Sequence, residues 1–151
     1  MPLSPQFSYG LLQLLFQQVS TLTTGLAVNS TAPNTSLWAS LHTAQPSSNS
    51  QSTSEAVYTS YARIPIIRGS SAGAFTATQA TSAGSNSSIS PNVTLSFPAA
   101  TGGSETETWF GLGLSSAGAG TLLLSGSLSP TLVVSNGVTP QLTTGSVITI
   151  S

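Results

Sequence analysis

The sequence predicts a mainly β protein: an antiparallel β-sandwich or barrel of about eight strands, with one N-terminal amphipathic α-helix. Three observations carry this. Short runs such as NVTLSF at 92–97 alternate apolar and polar residues with the period of a half-buried strand. Clusters of Gly, Pro, Asn and Ser separate these runs at the spacing of a sandwich or barrel. One stretch near the start has helical periodicity instead. Two parts are expected: residues 1–35, a helix and its connection used for packing and assembly, and residues 36–151, the antiparallel β domain.

Ser4-Pro5 reads as a helix start, a hydroxyl N-cap followed by proline at the first helical position. Phe7, Leu11, Leu14, Leu15, Val19 and Leu22 share one face, and Tyr9, Leu12 and Phe16 widen it. An apolar arc beyond half the circumference is more than one sheet contact needs. The expectation is that Phe7, Leu11, Leu14 and Leu15 cover the β domain while Tyr9, Leu12 and Phe16 meet a neighbouring subunit or the shell. The plainer reading is a core helix wrapped on both sides. Gly25 is a plausible stop, and 23–35 a connection.

Strands follow at about 37–43, 62–67 (with Pro65 marking an edge or bulge), 74–80, 92–97, 105–114, 121–128, TLVV at 131–134 and 147–150. One helical turn is expected at 55–59. Turns are expected at 69–73, 81–91 and 98–104, at Pro130, and at Asn136-Gly137. The expected core is Leu37, Leu41, Ile64, Ile66, Val93, Leu95, Phe97, Phe110, Leu112, Leu122, Leu124, Val147, Ile148 and Ile150, of which Val147 and Ile148 cannot both point inward. The segment 37–68 stands out as the spine, holding the sole His, both Arg and one Glu.

Charge sets the chain apart. Charged residues make up 3%, with two Arg, three Glu, no Lys and no Asp, against roughly 25% in ordinary domains. Hydrophobic residues at 38% argue against disorder. A nearly neutral surface gives copies little reason to repel one another, so a homo-oligomer or larger assembly is expected. Two Arg cannot neutralise a run of phosphates, so no nucleic-acid partner is expected. No apolar run reaches the ~18 residues of a membrane span, and no secretory signal is read at the start. With no cysteine there is neither a disulfide framework nor a thiolate site. Asn29, Asn34, Asn86 and Asn92 lie in N-x-S/T triplets, which this much Ser and Thr produces by chance.

Candidate chemistry is sparse. His42, Glu55 and a serine could be drawn as a triad, but no nucleophile-elbow motif surrounds any serine. Glu105 and Glu107 share a strand face, as paired glycosidase carboxylates do, yet solvated strand-start charges are the simpler reading. One His and three Glu without ligand spacing do not make a metal site. Arg63 and Arg68 are expected to pair with Glu55 or Glu105, within the domain or across an interface. No catalytic residue, cofactor or metal is therefore expected. Trp38, Trp109 and Tyr58 leave open a carbohydrate-binding β-sandwich.

The order of N-terminal helix, LWASLHTAQP, an acidic residue before YARIPI, VTLSFPAAT, WFGLGL, LLLSGSL and a β run after SNGVTP resembles a family of small tailed-bacteriophage virion proteins. The matches are tightest at Leu41-His42-Thr43 with Pro46, Tyr61-Ala62-Arg63 and Phe97-Pro98-Ala99-Ala100-Thr101. Members are labelled tail-fibre or minor structural proteins, and similar proteins decorate capsids. The resemblance implies a non-enzymatic protein of the virion. The leading expectation is a capsid decoration (cement) protein that binds the major capsid protein or other virion proteins. A tail or tail-fibre attachment component is the alternative.

Overall fold

A computed structural model describes residues 4–17, 36–46, 49–68, 75–81 and 87–150. Helix α1 spans Pro5–Gln17. Nine strands follow: β1 Ser36–His42, β2 Ile64–Ile67, β3 Phe75–Thr78, β4 Ser87–Pro91, β5 Leu95–Ser96, β6 Ser104–Gly113, β7 Leu122–Ser135, β8 Gln141–Leu142 and β9 Ile148–Ile150. They form a four-stranded sheet β2-β1-β6-β7, a three-stranded sheet β3-β4-β9 and a pair β5-β8. The protein is mainly β and antiparallel with one N-terminal helix, as the sequence predicts. Each sheet keeps edge strands among the described residues, so the closed-barrel alternative does not hold.

The chain divides into two compact units, Met1–Thr35 with Ile67–Thr94 and Leu142–Ser151, and Ser36–Ile66 with Leu95–Gln141. The break expected after residue 35 coincides with one boundary. The expected β domain of 36–151 is shared between the two.

In the first unit, Ser4 caps the helix as expected: its Oγ accepts from the Phe7 amide at 3.3 Å. The helix packs on β3 and β4, and Ser87 of β4 donates its hydroxyl to the Pro5 carbonyl at 2.7 Å. Ser8, Leu12 and Phe16, four residues apart, form the inward ridge, with Gly10 beside it. The Phe16 ring lies 4.7 Å from that of Phe75. This corrects the expected assignment of faces. Leu12 and Phe16 are fully buried within the chain, while Tyr9, Phe7, Leu11, Leu14 and Leu15 are each half-buried. The small Ser8 and Gly10 beside Leu12 let the strands approach that side closely, a feature that counting large apolar residues overlooks. At the other end, Arg68 donates to the carbonyls of Leu14 and Leu15, last-turn acceptors that a cation satisfies well.

Small residues also hide β4. A turn was expected through 81–91, yet Ser87, Ile89 and Pro91 are buried in alternation, and β4 pairs with both β3 and β9. The expected strand at 92–97 shrinks to Leu95–Ser96, with Val93 58% exposed. The hydrophobic alternation is real, but residues before it supply the ladder.

In the second unit, β1 and β6 pair from Trp38↔Gly113 to His42↔Trp109. Leu37, Ala39 and Leu41 bury one face of β1, with Phe110 and Leu112 opposite. Trp38, Ser40 and His42 take the other face, opposite Gly113, Gly111 and Trp109. Pro65 lies exposed in β2, an edge strand, as its missing N–H requires. Strand β7 runs unbroken where two strands split at Pro130 were expected. Its register against β6 jumps between Leu132 and Ser127, so the proline is absorbed in a bulge. No helical turn forms at 55–59: Glu55 bridges His42 and Thr59 bridges Gly102. Of the expected core, Ile64, Leu122, Leu124 and Ile148 are only half-buried and Val147 points outward. The expectations at Val19, Leu22, Gly25, 23–35 and 69–73, and at Asn29, Asn34 and Asn86, fall outside the described residues.

Candidate functional site

The most organised part of the chain is a strap, residues 49–61, laid over the Trp38–Ser40–His42 face of the four-stranded sheet. Backbone bonds fix it: the Gln51 amide donates to the Gly120 carbonyl at 2.7 Å, the Leu122 amide to Asn49 at 2.7 Å, and the Ala56 amide to Leu41 at 2.9 Å. Gln51 is fully buried. Its Nε2 donates to the Trp38 carbonyl at 3.3 Å and its Oε1 accepts from the Ser115 amide at 3.0 Å. It fits because residue 113 is glycine. A Cβ there would stand 2.1 Å from the Gln51 Cδ.

His42 is fully buried under this strap. Its Nδ1 lies 2.9 Å from the Thr53 carbonyl and its Nε2 2.9 Å from Ser40 Oγ. A carbonyl only accepts, so Nδ1 holds the proton and Nε2 accepts from Ser40. Burial pushes the imidazole pKa down. The pair has the nucleophile–base half of a triad, but a backbone carbonyl stands where an orienting carboxylate would act, and Ser40 is itself fully buried.

Glu55 turns instead to Arg63. The guanidinium is bidentate on it, Nε to Oε1 at 2.6 Å and Nη2 to Oε2 at 2.7 Å. Tyr61 donates to the same carboxylate at 3.0 Å and accepts from the Leu41 amide at 3.1 Å. Burial drives the Tyr61 phenol pKa up, and the Glu55 hydrogen bonds raise that of Arg63. Arg63 also donates to the carbonyls of Ser115 at 2.9 Å and Gly118 at 2.6 Å. One buried cation thus ties the strap to the 115–120 loop, and Gln51 holds the same loop from the other side.

Of the expected ion-pair residues, Glu55 and Arg63 come together. Arg68 serves the helix carbonyls in the first unit. Glu105 grips the strap backbone, with Oε1 accepting from the amides of Val57 at 2.9 Å and Tyr58 at 2.7 Å. Solvated charges were expected at 105 and 107, and for Glu107 this is corrected: it is fully buried. The same alternation that places both on one face carries Glu107 under the strap. The aromatic trio does not form a platform. Tyr58 is buried with its hydroxyl on the Pro98 carbonyl at 3.0 Å, and Trp38 and Trp109 stand at opposite ends of the β1–β6 ladder. Among the described residues no three His, Asp or Glu gather as a metal site would need. Gln51 and the glycine pair were missed by the sequence reading, although Gly-x-Gly inside a strand signals close approach.

What remains is a site built for rigidity, with neutral and paired groups turned inward. The family model described as Podophage GP4 fiber I protein gp80 matches residues 18–149. The chain belongs to this family. It is accordingly a small structural protein of tailed-phage virions, which bears out the resemblance seen in the sequence. The match spans the strap, the 115–120 loop, strands β1 to β8 and β9 as far as residue 149. No curated protein matches the chain.

Proposed function

We propose that this gp80-family protein is a non-enzymatic subunit of the phage fibre, joined to other virion proteins and to copies of itself. The observation that carries the reading is the family match over 18–149, whose description names a fibre. The geometry supports it in two ways. Ser40, His42, Glu55 and Arg63 are committed to internal hydrogen bonds rather than to a cleft. Attachment must then rest on apolar burial and backbone pairing, since Val57, Val133 and Ile67 are exposed while charges are scarce.

Copy number in purified particles tests the location. A dozen copies or fewer, with antibody label at the tail, is expected of a fibre subunit. Copies in the hundreds, labelled over the shell, would overturn it in favour of capsid decoration and a major-capsid-protein partner. Retention on particles through moderate salt is expected as well; release by salt would mean that ionic contacts hold it.

A further inference from the structure

Glu107 is the group that the structural role leaves unexplained. It is fully buried, and among the described residues no N–H or O–H donates to either carboxyl oxygen. An ionised carboxylate stripped of water and donors is so costly that the group keeps its proton instead. Burial first, and the neighbouring Glu105 charge second, push its pKa up to about 8. Glu105 lies two residues away on the same face of β6, where its carboxylate can take up that proton. The other surroundings bring no charge. Opposite Glu105 and Glu107 on β7 stand Val134 and Leu132. From the strap comes Tyr58, whose phenol pKa is pushed up to about 12 by burial, Glu107 and Glu105. Just past the end of β1, the Thr43 carbonyl accepts from Thr108 Oγ1 at 2.7 Å.

We propose that Glu107 and Glu105 form a proton-held latch: the shared proton keeps Glu105 seated on the Val57 and Tyr58 amides, and its loss frees those two amides while Thr59 stays bonded to Gly102 and Thr101. The geometry requires this order. Glu105 is the half-exposed partner and holds the strap through one oxygen, while Glu107 has no route to water within the strand. Deprotonation sets two like charges side by side, and the partner that can reach solvent leaves. Both amides then lose their acceptor, and Tyr58 loses its anchor at the backbone. The strap's other ties, at Gln51, Thr53, Ala56, Thr59 and Arg63, do not involve either Glu, so the opening is confined to Val57 and Tyr58.

Amide hydrogen exchange on the full-length protein between pH 6 and 9.5, corrected for the intrinsic pH dependence, tests the latch. Protection of Val57 and Tyr58 should fall about tenfold or more between pH 7 and 9, while the Leu41 and Phe97 amides stay protected. Glu107→Gln keeps a neutral donor for Glu105 and should abolish that fall. Should the variant not fold, infrared titration of wild type carries the test: a protonated buried carboxyl must persist to near pH 8. Ionisation of every carboxyl in the ordinary range, or equal loss of protection in Glu107→Gln, would overturn the latch.

Discussion

Gly111 stands across the β1–β6 ladder from Ser40, and the volume its missing side chain leaves is occupied by the His42 ring. A Cβ at 111 would lie 2.4 Å from His42 Nε2 and 2.6 Å from Ser40 Oγ. Neither neighbour can retreat, because the ring is held at its far nitrogen by Thr53. Gly111→Ala should therefore destabilise the protein by about 1–3 kcal/mol, as overpacking does. Urea denaturation monitored by tryptophan fluorescence measures it; an unchanged midpoint would mean that the His42 ring is not fixed.

Arg63 should tolerate little. Truncation to Met leaves the Glu55 carboxylate facing a guanidinium-sized gap and frees the 115–120 loop, at about 3–5 kcal/mol. Arg63→Lys keeps the charge but not the bidentate fork, and should recover part of that cost. Equal stability of the Lys variant and wild type would show that charge alone suffices.

His42 gives the stability an acid limb. Its folded pKa lies below the unfolded value near 6.5, so below that pH the unfolded chain binds a proton that the folded one refuses. Stability from this group is complete above pH 6.5 and is lost as pH falls toward the folded pKa. His42→Gln should flatten this limb in thermal melts recorded from pH 7 to 4.5, and an unaltered slope would refute the assignment.

Phe16 separates packing from assembly on the helix. With the side chain fully buried against Phe75, Phe16→Ala should cost about 3–5 kcal/mol of folding stability. Leu11→Gln, at a half-buried position on the other side, should cost far less. If Phe16→Ala instead leaves melting unchanged and only dissociates an oligomer, the inward ridge is misassigned.

The fold class was legible because alternating runs and turn clusters recur along the whole chain, and the N-cap at Ser4 and the edge position of Pro65 because each follows from one residue's own chemistry. Strand β4 was not, since its buried alternation is written in Ser87, Ile89 and Pro91, where hydropathy is faint. The sequence places Leu12 and Phe16 on the outward side of the helix because Ser8 and Gly10, small and buried beside them, give no hydropathy signal. The Glu55–Arg63 pair could be foreseen as one of a few combinations. The strap could not, because Gln51 and His42 look like loop and strand residues until the glycines opposite them are placed in space.

The disposition of the two arginines has a consequence outside the virion. A trypsin-like protease needs Lys or Arg in an extended, accessible chain, and this sequence offers Arg63 and Arg68 and no Lys. Arg63 is buried and spent on Glu55, Ser115 and Gly118, and Arg68 is drawn onto the helix carbonyls. While the protein is folded, both arginine side chains are engaged, so digestion of the native protein by such an enzyme should be slow, with no disulfide needed.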